Sequence, residues 1–279
     1  MDAELLLIEQ AIAEDIGDGD HTSLATIPES ASGKMKLLVK EDGILAGVEV
    51  AKLVLKKIDP EISIQVLIND GAAIEKGDIV FYISGRCRSM LMAERTVLNF
   101  MQRMSGIATA THKYTELLED TKVRLLDTRK TTPNMRVFEK KAVVIGGGFN
   151  HRMGLYDMVM IKDNHVDFAG GIKQAIGAEH DYLKRLGKKL KIEIEVRNFK
   201  ELDEVMHVGR VDRIMLDNFS PQDLKKAVEI INGIYETEAS GGINLSNIRE
   251  YALTGVDFIS VGAITHQIKS LDLSLKAVE

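Results

Sequence analysis

The chain has only one cysteine, Cys87, in 279 residues, so no intrachain disulfide can form and reducing surroundings are expected. Cys87 itself reads as a spare small residue between Arg86 and Arg88. No run of eighteen uncharged apolar residues occurs, which excludes a membrane-spanning helix. The first residues lack a basic stretch followed by an apolar one, so the expected location is cytoplasmic. Positive charge is not in excess either: the formal net charge is −6 and the pI about 5.7, which weighs against nucleic acid or anionic lipid as a partner. Signature motifs are missing too. There is no G-x-x-x-x-G-K-[ST] for a nucleotide phosphate loop, and no H-E-x-x-H or Cys/His cluster for zinc. Gly146-Gly-Gly148 follows an apolar stretch, but His151 stands where the third glycine of a dinucleotide fingerprint belongs.

What is present is unevenly distributed. Between Val123 and His165 eight Arg or Lys face four Asp or Glu, so this segment is +4 while the remainder sums to −10. A basic enclave in an acidic chain points to a pocket for a small polyanion. Its centre is Asp127-Thr-Arg-Lys-Thr-Thr-Pro133, where a short apolar strand ends on two adjacent cations. Five further strands are expected at 158–161, ending at Lys162, at 192–196, carrying Glu195, at 213–216, ending at Asp217, at 235–239, ending at Ser240-Gly-Gly, and at 257–261, ending at Gly262.

Helical spacing covers Asp2–Asp15, then short strands and turns run from Gly33 to Ser84 around one helix, Val48–Ile58. Asn69-Asp-Gly71 and Lys76-Gly-Asp78 are hairpin-type signals. Arg88–Glu119 is helical, with a turn or boundary expected at Ser105-Gly106. From Val123 onward strands alternate with helical segments at 169–186, 200–208 and 222–231, the pattern of a parallel sheet with crossover helices. The short repeat of the last strands favours a closed or nearly closed βα barrel over an open Rossmann sheet.

Barrel ligands sit at the C-terminal ends of the strands, with phosphate often bound after the last two. Ser240-Gly241-Gly242 and Gly262-Ala263-Ile264 occupy those places. Glu195 and Asp217 would reach the same mouth, and Mg²⁺ commonly bridges such carboxylates to substrate phosphates. Glu193 shares the strand parity of Glu195 and is its rival. Arg129, Lys130, His151, Arg152 and Lys162 form the cationic half, arginine suited to bidentate grip and lysine to a point charge.

Asp127-Thr-Arg-Lys-Thr-Thr-Pro133, Gly146-Gly-Gly-Phe-Asn-His-Arg-Met-Gly154, Ile161-Lys-Asp-Asn-His165, Leu216-Asp-Asn218, Glu238-Ala-Ser-Gly-Gly242 and Val261-Gly-Ala-Ile-Thr-His266 together resemble the quinolinate phosphoribosyltransferases. The resemblance covers essentially the whole chain. It implies an α/β architecture with an N-terminal α+β open sandwich and a C-terminal incomplete βα barrel, placed at 1–108 and 109–279, with a C-terminal tail that packs back on the first domain. It also implies a homodimer, or a multiple of one, with shared active sites. The implied substrates are quinolinate and phosphoribosyl pyrophosphate, with Mg²⁺. Arg129, His151, Arg152 and Lys162 would hold the quinolinate carboxylates beside Thr128. Lys130 would face the pyrophosphate, while Glu195 and Asp217 would handle Mg²⁺ and the ribose hydroxyls. Ser240, Gly241, Gly262 and His266 would cradle phosphate, and Arg95 would enter the neighbouring subunit's pocket. Lys130, Glu195 and Asp217 are the implied catalytic residues. Asn134 departs from the glycine common after Thr-Thr-Pro, and the segment around Arg197 is less typical. The rival readings are a Schiff-base lyase using Lys162 or Lys130, a phosphoribosyltransferase-like protein associated with molybdenum transport, and a non-enzymatic sensor of pyridine carboxylates.

Overall fold

A computed structural model describes residues 3–278. The chain forms two compact units and passes between them four times. One unit takes in the chain up to His112, Thr131–Gly147 and the stretch from Ile264 on, and the other takes in Lys113–Lys130 and Gly148–Ala263. The point 108/109 lies inside the helix Cys87–Glu116.

The first unit is built on an antiparallel sheet. Its strands are β1 (Ser32–Val39), β2 (Gly43–Ile44), β3 (Ser63–Val66), β4 (Ala73–Ile74) and β5 (Ile79–Arg86). Strand β12 (Leu273–Val278) pairs with β1, giving the order β12-β1-β5-β3, and β2 pairs with β4 separately. Alternation decides which face is buried. Met35, Leu37 and Val39 point inward from β1 and meet Phe81 and Ile83 of β5 and Leu273 and Leu275 of β12 in register. The helix Val48–Ile58 buries Val50, Ala51, Val54 and Leu55 at helical spacing. Both hairpin-type signals are turns, with Gly71 and Gly77 at positive φ, but neither joins paired neighbours, because β4 pairs with β2 instead of with β3 or β5. The first helix is Ala3–Ile16; Asp2, expected to begin it, lies outside the described residues.

The expected interruption at Ser105-Gly106 is absent, and Cys87–Glu116 is one helix of 30 residues. Tertiary contacts account for both residues. Buried Ser105 donates its hydroxyl to the Ala46 carbonyl and accepts the Ala46 N–H at 2.9 Å. A Cβ on Gly106 would run into the Lys269 carbonyl oxygen, so glycine here allows a close crossing of two chain segments.

The second unit holds six parallel strands: β6 (Arg124–Leu126), β7 (Val159–Ile161), β8 (Ile192–Val196), β9 (Arg213–Asp217), β10 (Glu236–Ser240) and β11 (Phe258–Ser260). Their order is β6-β11-β10-β9-β8-β7. Each strand from β7 to β11 lies beside the next in sequence, and β6 closes against β11. The sheet curls as a barrel does but stays open between β6 and β7, which makes it an incomplete βα barrel. Crossover helices follow β8 and β9 at Phe199–Val208 and Pro221–Ile231. They start on side-chain caps: Asn198 accepts the Glu201 N–H, and Ser220 accepts the Asp223 N–H ahead of Pro221. Among the described residues no helix is long and apolar enough to cross a membrane.

Candidate active site

All residues of β8 are buried, glutamates included. Strand parity turns Ile192, Ile194 and Val196 one way and Glu193 and Glu195 the other. The same alternation on β10 aligns Glu236, Glu238 and Ser240. Register then sets Glu195 beside Met215, and Asp217 beside Ser240, at the C-terminal ends.

The basic side arrives by a different route. Beyond β6, Phe149 adds one bridge to the sheet edge, donating its N–H to Leu125 O and accepting from Asp127 N–H. Asp127 is buried and accepts the His151 N–H at 2.8 Å. His151, 24 positions from Asp127 in the chain, and Arg152 are thereby carried to the strand ends. The Arg152 guanidinium donates to the Met158 carbonyl at 3.2 Å. Burial pulls Arg152 below the usual guanidinium range, and the positive charge of Arg129 adds to that effect.

Arg129, Lys130, Arg152 and Lys162 line one cavity of about 280 Å³ together with His151. Thr128, Ser240 and Ser260 supply hydroxyls, Met160 and Met215 an apolar wall, and Glu238 a carboxylate. At its edge Lys162 Nζ donates to Glu195 Oε2 at 3.2 Å. Burial pushes the Glu195 carboxyl up against the opposing pull of Lys162, and Asp217 and Asp163 push it further. Asp217 is also raised, first by burial, although Asn218 donates to it at 2.6 Å. Next to this pair, Gly241 has φ +94°, and a Cβ there would collide with the Asn218 side chain.

Beneath the cavity lies a charged cluster that residue patterns had not singled out. His151 Nε2 is 2.9 Å from Glu193 Oε2 and 3.4 Å from Glu238 Oε2. Arg213 binds Glu238 at 3.1 Å and Glu236 at 3.2 Å, with its guanidinium 3.9 Å from the centre of the Phe258 ring. Burial pulls the His151 imidazole down, but the two carboxylates outweigh it and raise it to about 9. The Arg152 N–H against His151 Nδ1 at 2.7 Å favours the neutral ring instead. Two charge-assisted contacts are stronger than one neutral bond, so the carboxylates set the direction of the shift. Burial also pushes Glu193 up, whereas His151, Ser260 and Arg213 together hold Glu238 below the usual range despite burial. This cluster is the one set of three close metal-type ligands among the described residues, and Arg213 already supplies its counter-charge.

The sequence-derived candidates therefore fall into three groups. Thr128, Arg129, Lys130, His151, Arg152, Lys162 and Ser240 line the cavity. Glu195 and Asp217 stand with Lys162, and Gly241 and Gly262 follow β10 and β11. Arg95 is exposed on Cys87–Glu116 in the first unit, as is His266 at the end of the short helix Ala263–His266. Glu193, the rival of Glu195, is fully buried on His151. Inward parity on β10 was the signal for Glu238; nothing in the sequence linked it to His151.

Fold and cavity define the class: a βα-barrel protein that presents a polycationic pocket with one buried and one half-buried acid at the C-terminal ends of its strands. The model of the quinolinate phosphoribosyl transferase C-terminal domain matches residues 107–276, and that of the N-terminal domain matches residues 20–105. The chain is 44% identical to quinolinate phosphoribosyltransferase [decarboxylating] 1b of Nicotiana tabacum, over 97% of this chain and 81% of that protein. It is 39% identical to the probable nicotinate-nucleotide pyrophosphorylase [carboxylating] of Bacillus subtilis, over 96% and 91%. The crystal structure of NadC from Streptococcus pyogenes superposes with a TM-score of 0.91 at 38% identity, covering 98% of this chain and 96% of that one. The chain belongs to the quinolinate phosphoribosyltransferase family.

Proposed function

We propose that this protein transfers the phosphoribosyl group of phosphoribosyl pyrophosphate to the nitrogen of quinolinate and releases CO₂, forming nicotinate mononucleotide and pyrophosphate for NAD biosynthesis. The observation that carries this reading is the convergence of Arg129, Lys130, Arg152 and Lys162 on one cavity beside Glu195 and Asp217. Quinolinate brings two carboxylates, and its partner brings phosphate and pyrophosphate. Such a pair of ligands needs this density of cations.

Arg129, His151, Arg152 and Lys162 hold the quinolinate carboxylates, with Thr128 nearby. Lys130 faces the pyrophosphate, and Ser240, Gly241, Gly262 and His266 serve phosphate. The C1–O bond of the ribose breaks with its electron pair leaving on pyrophosphate, and the pyridine nitrogen supplies the pair for the new C1–N bond. Catalysis is then mainly positioning and electrostatic support of separating charges. The alkylated ring is cationic, so it stabilises the electron pair left on carbon when the adjacent carboxylate departs as CO₂; a proton then takes that pair to form the C–H bond. No protein nucleophile is required.

Glu195 and Asp217 fit Mg²⁺: both are oxygen donors, both are raised by burial, and the charge of Asp217 pushes Glu195 up further, a repulsion that a hard cation relieves. When bound, the ion offsets pyrophosphate charge, and the same carboxylates accept from ribose hydroxyls. We also propose a homodimer in which Arg95 serves the partner subunit's site; its exposed position on Cys87–Glu116 supports that role.

The test is to incubate the protein with quinolinate, phosphoribosyl pyrophosphate and Mg²⁺. Stoichiometric CO₂ and nicotinate mononucleotide are expected. Tight quinolinate binding with neither product would leave only a sensor of pyridine carboxylates.

A further inference from the structure

Arg103 stands near the middle of the helix Cys87–Glu116, and its guanidinium is turned onto three separate segments of the first unit. Nε and Nη2 grip Glu139 Oε1 at 3.1 and 2.8 Å, and Glu139 is fully buried on the helix Arg136–Ile145. Nη2 also donates to Thr132 Oγ1 at 3.2 Å and to the Thr265 carbonyl at 2.9 Å. The other Glu139 oxygen, Oε2, accepts the Thr132 backbone N–H at 3.1 Å. One ion pair, its carboxylate fully buried and its guanidinium part-buried, thus holds Thr132 by both its side chain and its backbone, and holds Thr265 by its carbonyl.

Buried ion pairs are seldom more stabilising than apolar residues of the same volume, because desolvation cancels the attraction. Stability is therefore a weak reason for this pair. Geometry is a stronger one: a planar guanidinium with donors in a rigid fork transmits the position of a long helix to whatever it binds. Thr132 lies two residues beyond Lys130, and Thr265 immediately precedes His266.

We propose that Arg103, clamped by Glu139, is a positioning residue for phosphoribosyl pyrophosphate, fixing the chain that leaves Lys130 and the short helix that ends at His266. This rests on the roles given to Lys130 and His266 under the proposed function. Of the side chains given to quinolinate, His151, Arg152 and Lys162 take part in none of the contacts above, while Arg129 shares the loop of Lys130 but lies one residue further from Thr132. The larger effect therefore falls on phosphoribosyl pyrophosphate.

The decisive variant is Arg103→Met with Glu139→Leu. It removes both charges together, so no buried carboxylate is stranded, and chemical denaturation should return wild-type stability. Steady-state kinetics are run beside the wild type with each substrate varied, and quinolinate binding is measured alone. The KM for phosphoribosyl pyrophosphate should rise about tenfold or more, the scale of one lost charge-assisted bond. The quinolinate Kd should stay within about twofold, as for independent sites. Arg103→Lys, which keeps the charge beside Glu139 but loses the fork, should give an intermediate KM. A folded double variant with unchanged KM for phosphoribosyl pyrophosphate and unchanged kcat overturns the proposal, and so does an equal loss of quinolinate affinity. If the double variant does not fold, an unchanged KM in Arg103→Lys has the same force. A wild type that makes no mononucleotide fails at an earlier point: the proposed function falls, and this inference with it.

Discussion

Two adjacent cations in the loop beyond β6, Arg129 and Lys130, are a small feature, yet much of the proposed chemistry depends on them. Lys130→Ala and Arg152→Ala should fold normally and lose turnover by several orders of magnitude, since each removes charge-assisted contacts worth roughly 1.5 to 3 kcal/mol before any loss of positioning. Near-wild-type kcat/KM in both would remove the basic cavity from the mechanism. For the acidic pair, EDTA should abolish product formation and added Mg²⁺ should restore it; a rate indifferent to EDTA leaves Glu195 and Asp217 to bind ribose hydroxyls only. His151 makes a pH prediction. Its folded value is raised to about 9 from 6.5, so its contribution to stability is complete below pH 6.5 and is lost as pH rises through 9. Denaturation midpoints of the wild type should fall over that window, and those of His151→Gln should fall less. At this scale the motif Asp127-Thr-Arg-Lys130 was legible because strand-end cations in an acidic chain stand out. Glu238 was not, because a glutamate inside a strand shows its parity but not the His151, Arg213 and Ser260 that gather round it.

Elements were read well wherever a period ran undisturbed. The six parallel strands fall within a residue or two of the expected spans, and Ile192–Val196 and Val48–Ile58 match them outright. Ser105-Gly106 defeated the reading because both residues serve partners distant in the chain, Ala46 and Lys269. Gly106→Ala therefore pits two effects against each other. Alanine gains up to about 1 kcal/mol of helix propensity, but its Cβ meets a backbone carbonyl that cannot rotate away, and overpacking costs about 1 to 3 kcal/mol. The clash should win, and urea denaturation should show a net loss of stability. Asn134 is a milder case. It sits at φ +63°, a conformation that asparagine tolerates better than most residues, which explains how it stands where glycine is common.

On the scale of the whole molecule, the proposed dimer gives the sharpest expectation. Arg95→Ala and Lys162→Ala should each be inactive, and a mixed dimer with shared sites carries both lesions in one site and neither in the other. After subunit exchange, activity should recover to about a quarter of wild type for a two-fold symmetric dimer mixed at random. No recovery after demonstrated exchange would place Arg95 outside any partner's site.

The sequence by itself determined the alternation of strand and helix, the inward parity of Glu195 and Glu238, and the concentration of positive charge near Lys130, because all three depend on local spacing and composition. Tertiary structure alone decided what lies opposite what. It left the barrel open between β6 and β7, returned β12 to pair with β1, and set His151 on Glu193 and Glu238. It also closed Arg103 over Glu139, Thr132 and Thr265. Such contacts join residues tens to more than two hundred positions apart. No local period records them, and only the burial of the whole core brings them within bonding distance.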